Sequence, residues 1–465
     1  MDFQLGILLF GKTDFAMTAL NPNRPNPPVS GPPFRHVILL LCLFFFLCLG
    51  TDLFNIVLWQ NKMANKLQIL LLLPVMAVTA LYYRHLIRGA FAAPEIVILL
   101  ILALISTRQS AMPMYTLERS IPLLVTTTFA LVLGSMMSLR GLLMFMATFY
   151  AAVIALTVVA IATLPQARGI PPWGDTWNGI FLHKNGLGAA CVMTMLTAFY
   201  AIGQTRGKLK LVFQVTLAIA FLLLVASESR TSQVVGLVSM SALVASLLIP
   251  RFEVTWAICF ILLSVLLVGV IAFLLASPLA DPLFALIGRK PTLSERIPIW
   301  EHTWPYVMDR FWLGWGYNTF WYPESSHVVL MSNKGNLGFT PHYSHNGLIE
   351  TWLNTGFIGV VFLTIAILRF FFSSFFNMRF LSSRDGIVCA LALMITFLFA
   401  NTTESSMLSR MEANWMFFVA YITKMHLVAR AVRDSIKNRP APAPAGAGAE
   451  QSGGSDPLSR PAHSQ

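Results

Sequence analysis

Apolar stretches long enough to cross a bilayer follow one another along most of this 465-residue chain. A helical span takes about 17 to 25 predominantly apolar residues. About twelve such stretches can be drawn, at 37–59, 67–83, 91–107, 120–138, 141–164, 186–204, 209–227, 231–250, 254–277, 346–372, 386–402 and 413–431. Charged residues make up 11% of the chain and apolar residues 56%, whereas soluble domains carry about a quarter charged residues. The fold class is therefore an all-α polytopic membrane protein.

Orientation follows from lysine and arginine, which favour the cytoplasmic side. With both termini in the cytoplasm, most of the 32 basic residues fall on that face. The net charge of +12 is then largely a matter of topology. The basic residues are scattered over several cytoplasmic loops and form no one patch, so a nucleic-acid reading has little support. Residues 1–36 and 432–465 are polar, rich in proline or of low complexity, and read as disordered cytoplasmic tails. The expected division places transmembrane helices 1–9 in 37–277, a large folded periplasmic loop in 278–345 and helices 10–12 in 346–431. All five cysteines lie in expected spans, so no disulfide framework is expected. Neither a Cys/His metal spacing nor a Gly-rich nucleotide loop occurs, so no metal or ATP is expected as cofactor.

Two outer connections are long, at about 165–185 and 278–345. They hold Trp173, Trp177, Trp300, Trp304, Trp312, Trp315 and Trp321. Disordered segments are poor in aromatics, so the second loop is expected to fold. Interfacial belts account for part of this enrichment, and aromatic faces also suit sugar rings. Within SERIPIWEHTWPYVMDRFW a short helix is expected from Ser294, a good N-cap residue, with Pro305 kinking or breaking it. LGWG at 313–316 reads as a turn. Arg296 and Trp300, four apart, share a face; the plain alternative for Arg296 is a solvated surface arginine.

Three further elements carry chemistry. In LLLVASESRTSQ, Glu228 and Arg230 interrupt apolar sequence at the outer boundary, where ionisable groups are costly and usually functional. Arg230 would meet lipid phosphates with a bidentate fork; a Glu228–Arg230 pair closing a tight turn is the alternative. In WNGIFLHKNGLGAA, Lys184 stands at a helix start that favours anions, with Gly186 and Gly188 allowing close approach. Snorkelling is the alternative for His183 and Lys184. In PHYSHNGLIETWLNTGFIGVVFL, His345 sits at a helix start, a position that suits a neutral proton acceptor. His342 lacks that placement and reads as a loop histidine.

His345, Asn346, nine residues, Gly356, two residues and Gly359 resemble the signature at which bacterial O-antigen ligases carry their essential histidine. The resemblance, to the O-antigen ligase/polymerase superfamily, covers about 37 to 431. It implies a scaffold similar to the GT-C membrane glycosyltransferases, in the bacterial inner membrane with the active site on the periplasmic face. The implied reaction moves glycan from undecaprenyl pyrophosphate to the lipid A–core oligosaccharide, with no metal or ATP. His345 would be the general base, and Arg230 and Arg296 would hold the pyrophosphate, with Lys184 a further candidate. Trp300, Asn346 and His342 are candidates for glycan or support contacts. The lack of a paired-carboxylate motif favours single displacement with inversion. An O-antigen polymerase or a protein O-oligosaccharyltransferase would use the same donor. A transporter would place its ionisable residues at mid-membrane instead.

Overall fold

The computed structural model describes residues 35–59, 61, 63–169, 176–248, 296–322, 325, 328, 341–380 and 385–438. Among these residues every regular element is a helix and no strand occurs. We number the α-helices in chain order: α1 Arg35–Gly50, α2 Leu53–Val57, α3 Met63–Leu81, α4 Tyr83–Ala92, α5 Pro94–Ile105, α6 Pro113–Met136 and α7 Leu139–Thr163. There follow α8 Lys184–Gln204, α9 Gly207–Ala226, α10 Arg230–Leu248, α11 Arg296–Asp309, α12 Gly347–Phe380, α13 Asp385–Ala400 and α14 Ala413–Lys437.

By length and composition, 6 of the described helices can cross a membrane, or 7 if one bent pair counts as a span. Each expected span overlaps a helix except 254–277, which lies outside the described residues. Two expected spans change shape. The stretch 37–59 is interrupted after Gly50, where Thr51 turns its hydroxyl onto the Leu47 carbonyl at 2.6 Å and the chain bends through Asp52. The stretch 91–107 is the 12-residue α5, bent by 100° from α4 at Ala93. At that bend the buried Glu95 pairs with Arg369 of α12. The expected division of 120–164 falls at Ser138, whose hydroxyl caps α7 by accepting the Gly141 N–H at 3.0 Å.

α14 sits inside the bundle, with Trp415, Met416, Phe417, Phe418, Val419, Ala420, Tyr421 and Ile422 all buried in succession. A helix apolar all round belongs in a core. Close approach needs small residues, and at Gly134 of α6 a Cβ would lie 2.5 Å from the Ala420 carbonyl. Phe46, Phe145, Phe149 and Phe417 lock α1, α7 and α14 by tilted and edge-to-face contacts.

The 296–322 segment has its own small core of Ile299, Val307, Phe320, Trp321, Val328 and Leu353, with Trp300, Tyr306, Trp315, Tyr343 and Trp352 packed against it. The tryptophans therefore serve chiefly to fold this segment onto the first turns of α12. Trp304 and Trp312 stay exposed, and Trp173 lies outside the described residues.

Of the two outcomes expected at Pro305, a kink or a break, the break does not occur: α11 continues past it. Proline frees the carbonyl four residues earlier. Here that residue is the exposed Glu301, whose carbonyl can reach water. Ser294, the expected cap, lies outside the described residues, and the helix is described from Arg296. The turn at 313–316 is present, with Gly314 at φ 71 and Gly316 at φ 108.

Gly356 explains the glycine of the His345 signature. Its φ of 71 and ψ of −174 break α12 into two helices. The 311–315 backbone fills the break: Phe357 N–H donates to the Phe311 carbonyl at 2.8 Å, and Trp315 N–H to the Leu353 carbonyl at 2.7 Å. A Cβ at Gly356 would collide with the Trp312 carbonyl.

Candidate active site

Arg296, His345 and Asn185 meet at Glu404, which lies in the turn between α13 and α14. Its Oε1 accepts from Arg296 Nη2 at 2.9 Å and from Asn185 Nδ2 at 2.8 Å. Its Oε2 lies 3.7 Å from His345 Nδ1. That separation is an ion-contact distance, longer than a hydrogen bond, and the buried Nδ1 has no hydrogen-bond partner. Burial acts to raise the Glu404 pKa, but His345, Arg296 and Asn185 outweigh it and hold the carboxyl below its usual range.

Arg296 is only 9% exposed, so it is not a solvated surface residue. A buried guanidinium needs a counter-charge, and Glu404 supplies it. Asn185 reaches Glu404 from the second position of α8, whose cap is His183: the His183 Nδ1 accepts the Asn185 N–H at 3.2 Å. Ser229 Oγ donates to Asn185 Oδ1 at 3.0 Å. Arg230, the next residue, begins α10. The contact between α8 and α10 relies on Gly188, where a Cβ would lie 2.5 Å from Ser232 Oγ. Gly186 is packed against the Phe181 ring.

The Glu228–Arg230 turn pair is not formed: Glu228 is exposed at φ 52 and no salt bridge joins the two. Lys184 is half-buried at the first position of α8. Among the described residues neither Lys184 nor Arg230 belongs to an ion pair, and Arg296 does. His183 lies within electrostatic reach of Glu404, His345, Lys184 and Arg296. Burial lowers its pKa, with Glu404 opposing and the other three reinforcing.

His345 itself has φ 53, a left-handed backbone costly for a non-glycine residue and common at functional sites. The flanking residues hold it there. Ser344 N–H donates to Glu350 Oε2 at 2.9 Å, and Trp321 Nε1 to the same oxygen at 3.0 Å. Trp300 Nε1 donates to the Ser344 carbonyl at 2.8 Å, which makes Trp300 a support. Asn346 is a support too: its Oδ1 caps α12 by accepting the Leu348 and Ile349 N–H groups at 3.0 and 3.1 Å. The Tyr343 ring stands 4.2 Å from the His345 ring, centroid to centroid. His342 is exposed at the rim.

Beside this cluster opens a cavity of about 460 Å³, enclosed by the facing ends of α1, α8, α10, α12, α13 and α14 together with α7. Glu404, Tyr343, His183 and His342 line it. Glu404 was invisible to motif reading, whereas Asn185 stands beside Lys184 at the expected start of the 186–204 span. ESS after ANTT resembles an ordinary polar turn, and only its proximity to His345 in space gives it meaning.

No curated protein matches the chain. Residues 215–364 match the model of a family described as O-antigen ligase. The matched stretch carries Arg230, Arg296, His345, Gly356 and Gly359, while Lys184 and Glu404 lie outside it. Over that stretch the resemblance to the O-antigen ligase/polymerase superfamily, read from SESRT, SERIPIW and the His345 signature, is shown.

Proposed function

We propose that the protein is an O-antigen ligase: a metal- and ATP-independent glycosyltransferase on a scaffold similar to the GT-C class, with its active site on the periplasmic face of the bacterial inner membrane. The donor is a glycan on undecaprenyl pyrophosphate, and the acceptor is a hydroxyl of the lipid A–core oligosaccharide. One observation carries the reading. A single carboxylate, Glu404, ties Arg296 to His345, so the residue assigned to the leaving group and the one assigned to the nucleophile are held in one site.

In this reaction the acceptor oxygen attacks the anomeric carbon and loses its proton to His345. The bond from that carbon to the pyrophosphate oxygen breaks, and its electron pair leaves with the lipid pyrophosphate. One displacement inverts the anomeric centre. A carboxylate beside Nδ1 orients an imidazole and directs Nε2 at the substrate, the logic of base–orienter pairs. Arg296 commits one N–H to Glu404 and retains others of its five for phosphate oxygens. Lys184 and Arg230 add positive charge that no carboxylate among the described residues neutralises. Fixed cations of this kind stabilise charge developing on the leaving group.

The test is purified protein with lipid-linked glycan and lipid A–core, free of metal and ATP. Joined product supports the ligase. Product formed only when a second lipid-linked glycan replaces lipid A–core would make the protein a polymerase, and no product in either case would overturn the proposal.

A further inference from the structure

The 460 Å³ cavity beside His345 has an electrostatic character that the pyrophosphate reading does not use. Cavities of about 300–1,000 Å³ accept small ligands. Four carboxyl groups line this one, those of Asp52, Glu350, Glu404 and Glu412, and no lysine or arginine among the described residues does. Among the described residues, only Glu404 of the four has an arginine partner. The other three are held by neutral donors. Asp52 Oδ2 accepts the Leu182 N–H at 3.2 Å. Glu350 Oε2 accepts Ser344 N–H and Trp321 Nε1. Glu412 accepts the Trp415 N–H at 2.7 Å and Asn414 Nδ2 at 2.6 Å, and Asn414 Oδ1 in turn accepts the Tyr150 hydroxyl at 2.6 Å.

Asn318 and Asn354 complete a wall of carboxyl, amide and hydroxyl groups over a partly aromatic base of Phe149, Tyr150 and Phe181. That chemistry matches sugar hydroxyls, which donate to carboxylates and accept from amides. A second anion would lose its hydration in a partly buried space whose described lining holds no lysine or arginine to pair it, an uncompensated burial of charge.

From this lining we infer that the cavity is a subsite for an uncharged sugar residue and that it discriminates against acidic sugars. The pyrophosphate is thereby kept at the rim, with Arg296, Arg230 and Lys184. The inference rests on the proposed transferase reading and deepens it by naming the class of sugar. Burial shifts Glu412 up to about 7, with Asp52 adding to the rise, so at neutral pH it can donate to a sugar hydroxyl as well as accept.

The experiment measures kcat/KM of the purified protein in two arms. In the first, the acceptor is fixed and the donor's sugar next to the pyrophosphate is either an N-acetylhexosamine or the corresponding uronic acid. In the second, the neutral donor is fixed and the acceptor's terminal sugar is hexose or uronic acid. A tenfold or greater preference for the neutral sugar in one arm is expected, and the arm shows whether donor or acceptor fills the cavity. In that arm Asp52→Asn and Glu412→Gln, tested singly, should each narrow the preference, and at least one should do so in a protein that still forms product with the neutral sugar. Equal use of neutral and acidic sugars by the unmodified protein in both arms overturns the subsite. A preference that both variants leave unchanged overturns it as well. Absence of transfer with neutral donor and acceptor overturns the transferase reading itself, and the subsite falls with it.

Discussion

His345 Nδ1 lies 3.7 Å from Glu404 Oε2, across a separation of 59 positions in the chain. The carboxylate belongs to a turn that no motif marks, yet it meets both His345 and Arg296. Glu404→Gln keeps the shape and removes the charge. We expect kcat to fall by about tenfold to a hundredfold, the value of one charge-assisted interaction of about 1.5–3 kcal/mol made in the transition state. KM for the acceptor should change little, and Glu404→Asp should recover part of the loss. An unchanged kcat in Glu404→Gln would remove its orienting role.

His345→Ala should lose about a hundredfold to ten-thousandfold in turnover, the usual contribution of a general base. Donor binding should persist, because the base acts in the chemical step. His342→Ala, at the exposed rim, should be milder. Comparable rates for His345→Ala and the unmodified protein in the purified reaction would end the general-base assignment.

Arginine-to-lysine changes separate a bidentate grip from a diffuse field. Arg230→Lys and Arg296→Lys should each slow transfer by about ten- to a hundredfold. Arg310 is unsuitable as a control, because it donates to the Gln109 carbonyl at 2.8 Å and lies 4.5 Å from the Trp315 ring centroid. The exposed Arg206, at the opposite end of α8, serves instead. If the two site variants match Arg206→Lys in rate, the pyrophosphate is held elsewhere, with Lys184 the next residue to change.

The first-named helices were legible because hydropathy alone dictates them, and His345 because its neighbours in sequence are also its neighbours in space. The glycines of that signature were legible as letters but not as a helix break. Nothing in GFIG states that the 311–315 backbone will enter between residues 355 and 357. Glu404 was illegible for the same reason on a larger scale: its partners Asn185 and Arg296 are 219 and 108 positions away. Composition reports what a residue type can do, whereas packing decides which of its options is used: Trp300, a candidate for glycan or support contact, gives its N–H to the Ser344 carbonyl, and α11 continues past Pro305.

Glu412 offers a pH test independent of transfer. Its pKa is raised from 4.5 to about 7, chiefly by burial. The unfolded chain therefore releases this proton at a lower pH than the folded one. The contribution to stability is full below about pH 4.5 and is lost as pH rises through about 7. Between about pH 5 and 8 the Tm of the unmodified protein in detergent should fall more steeply than that of Glu412→Gln. Parallel Tm profiles would show that Glu412 is ionised throughout.

Gly356→Ala tests the break in α12. Its Cβ would meet the Trp312 carbonyl and its φ of 71 is strained for alanine. A loss of at least about 1–3 kcal/mol is expected, read as a lower Tm together with slower transfer. An alanine variant as stable and active as the unmodified protein would show that the two halves of α12 can realign without the loop.

That junction also limits how this protein can be re-engineered. The Phe357 N–H and the Leu353 carbonyl find partners in Phe311 and Trp315, across the break. Removing the 296–322 segment would strip both groups of these partners, and a buried polar group left unpaired costs about 1–3 kcal/mol. The aromatic segment is thus no detachable cassette. Grafting a foreign loop between α10 and α12 to change what the protein accepts would have to reproduce, atom for atom, two backbone hydrogen bonds at one glycine before any new specificity could be read.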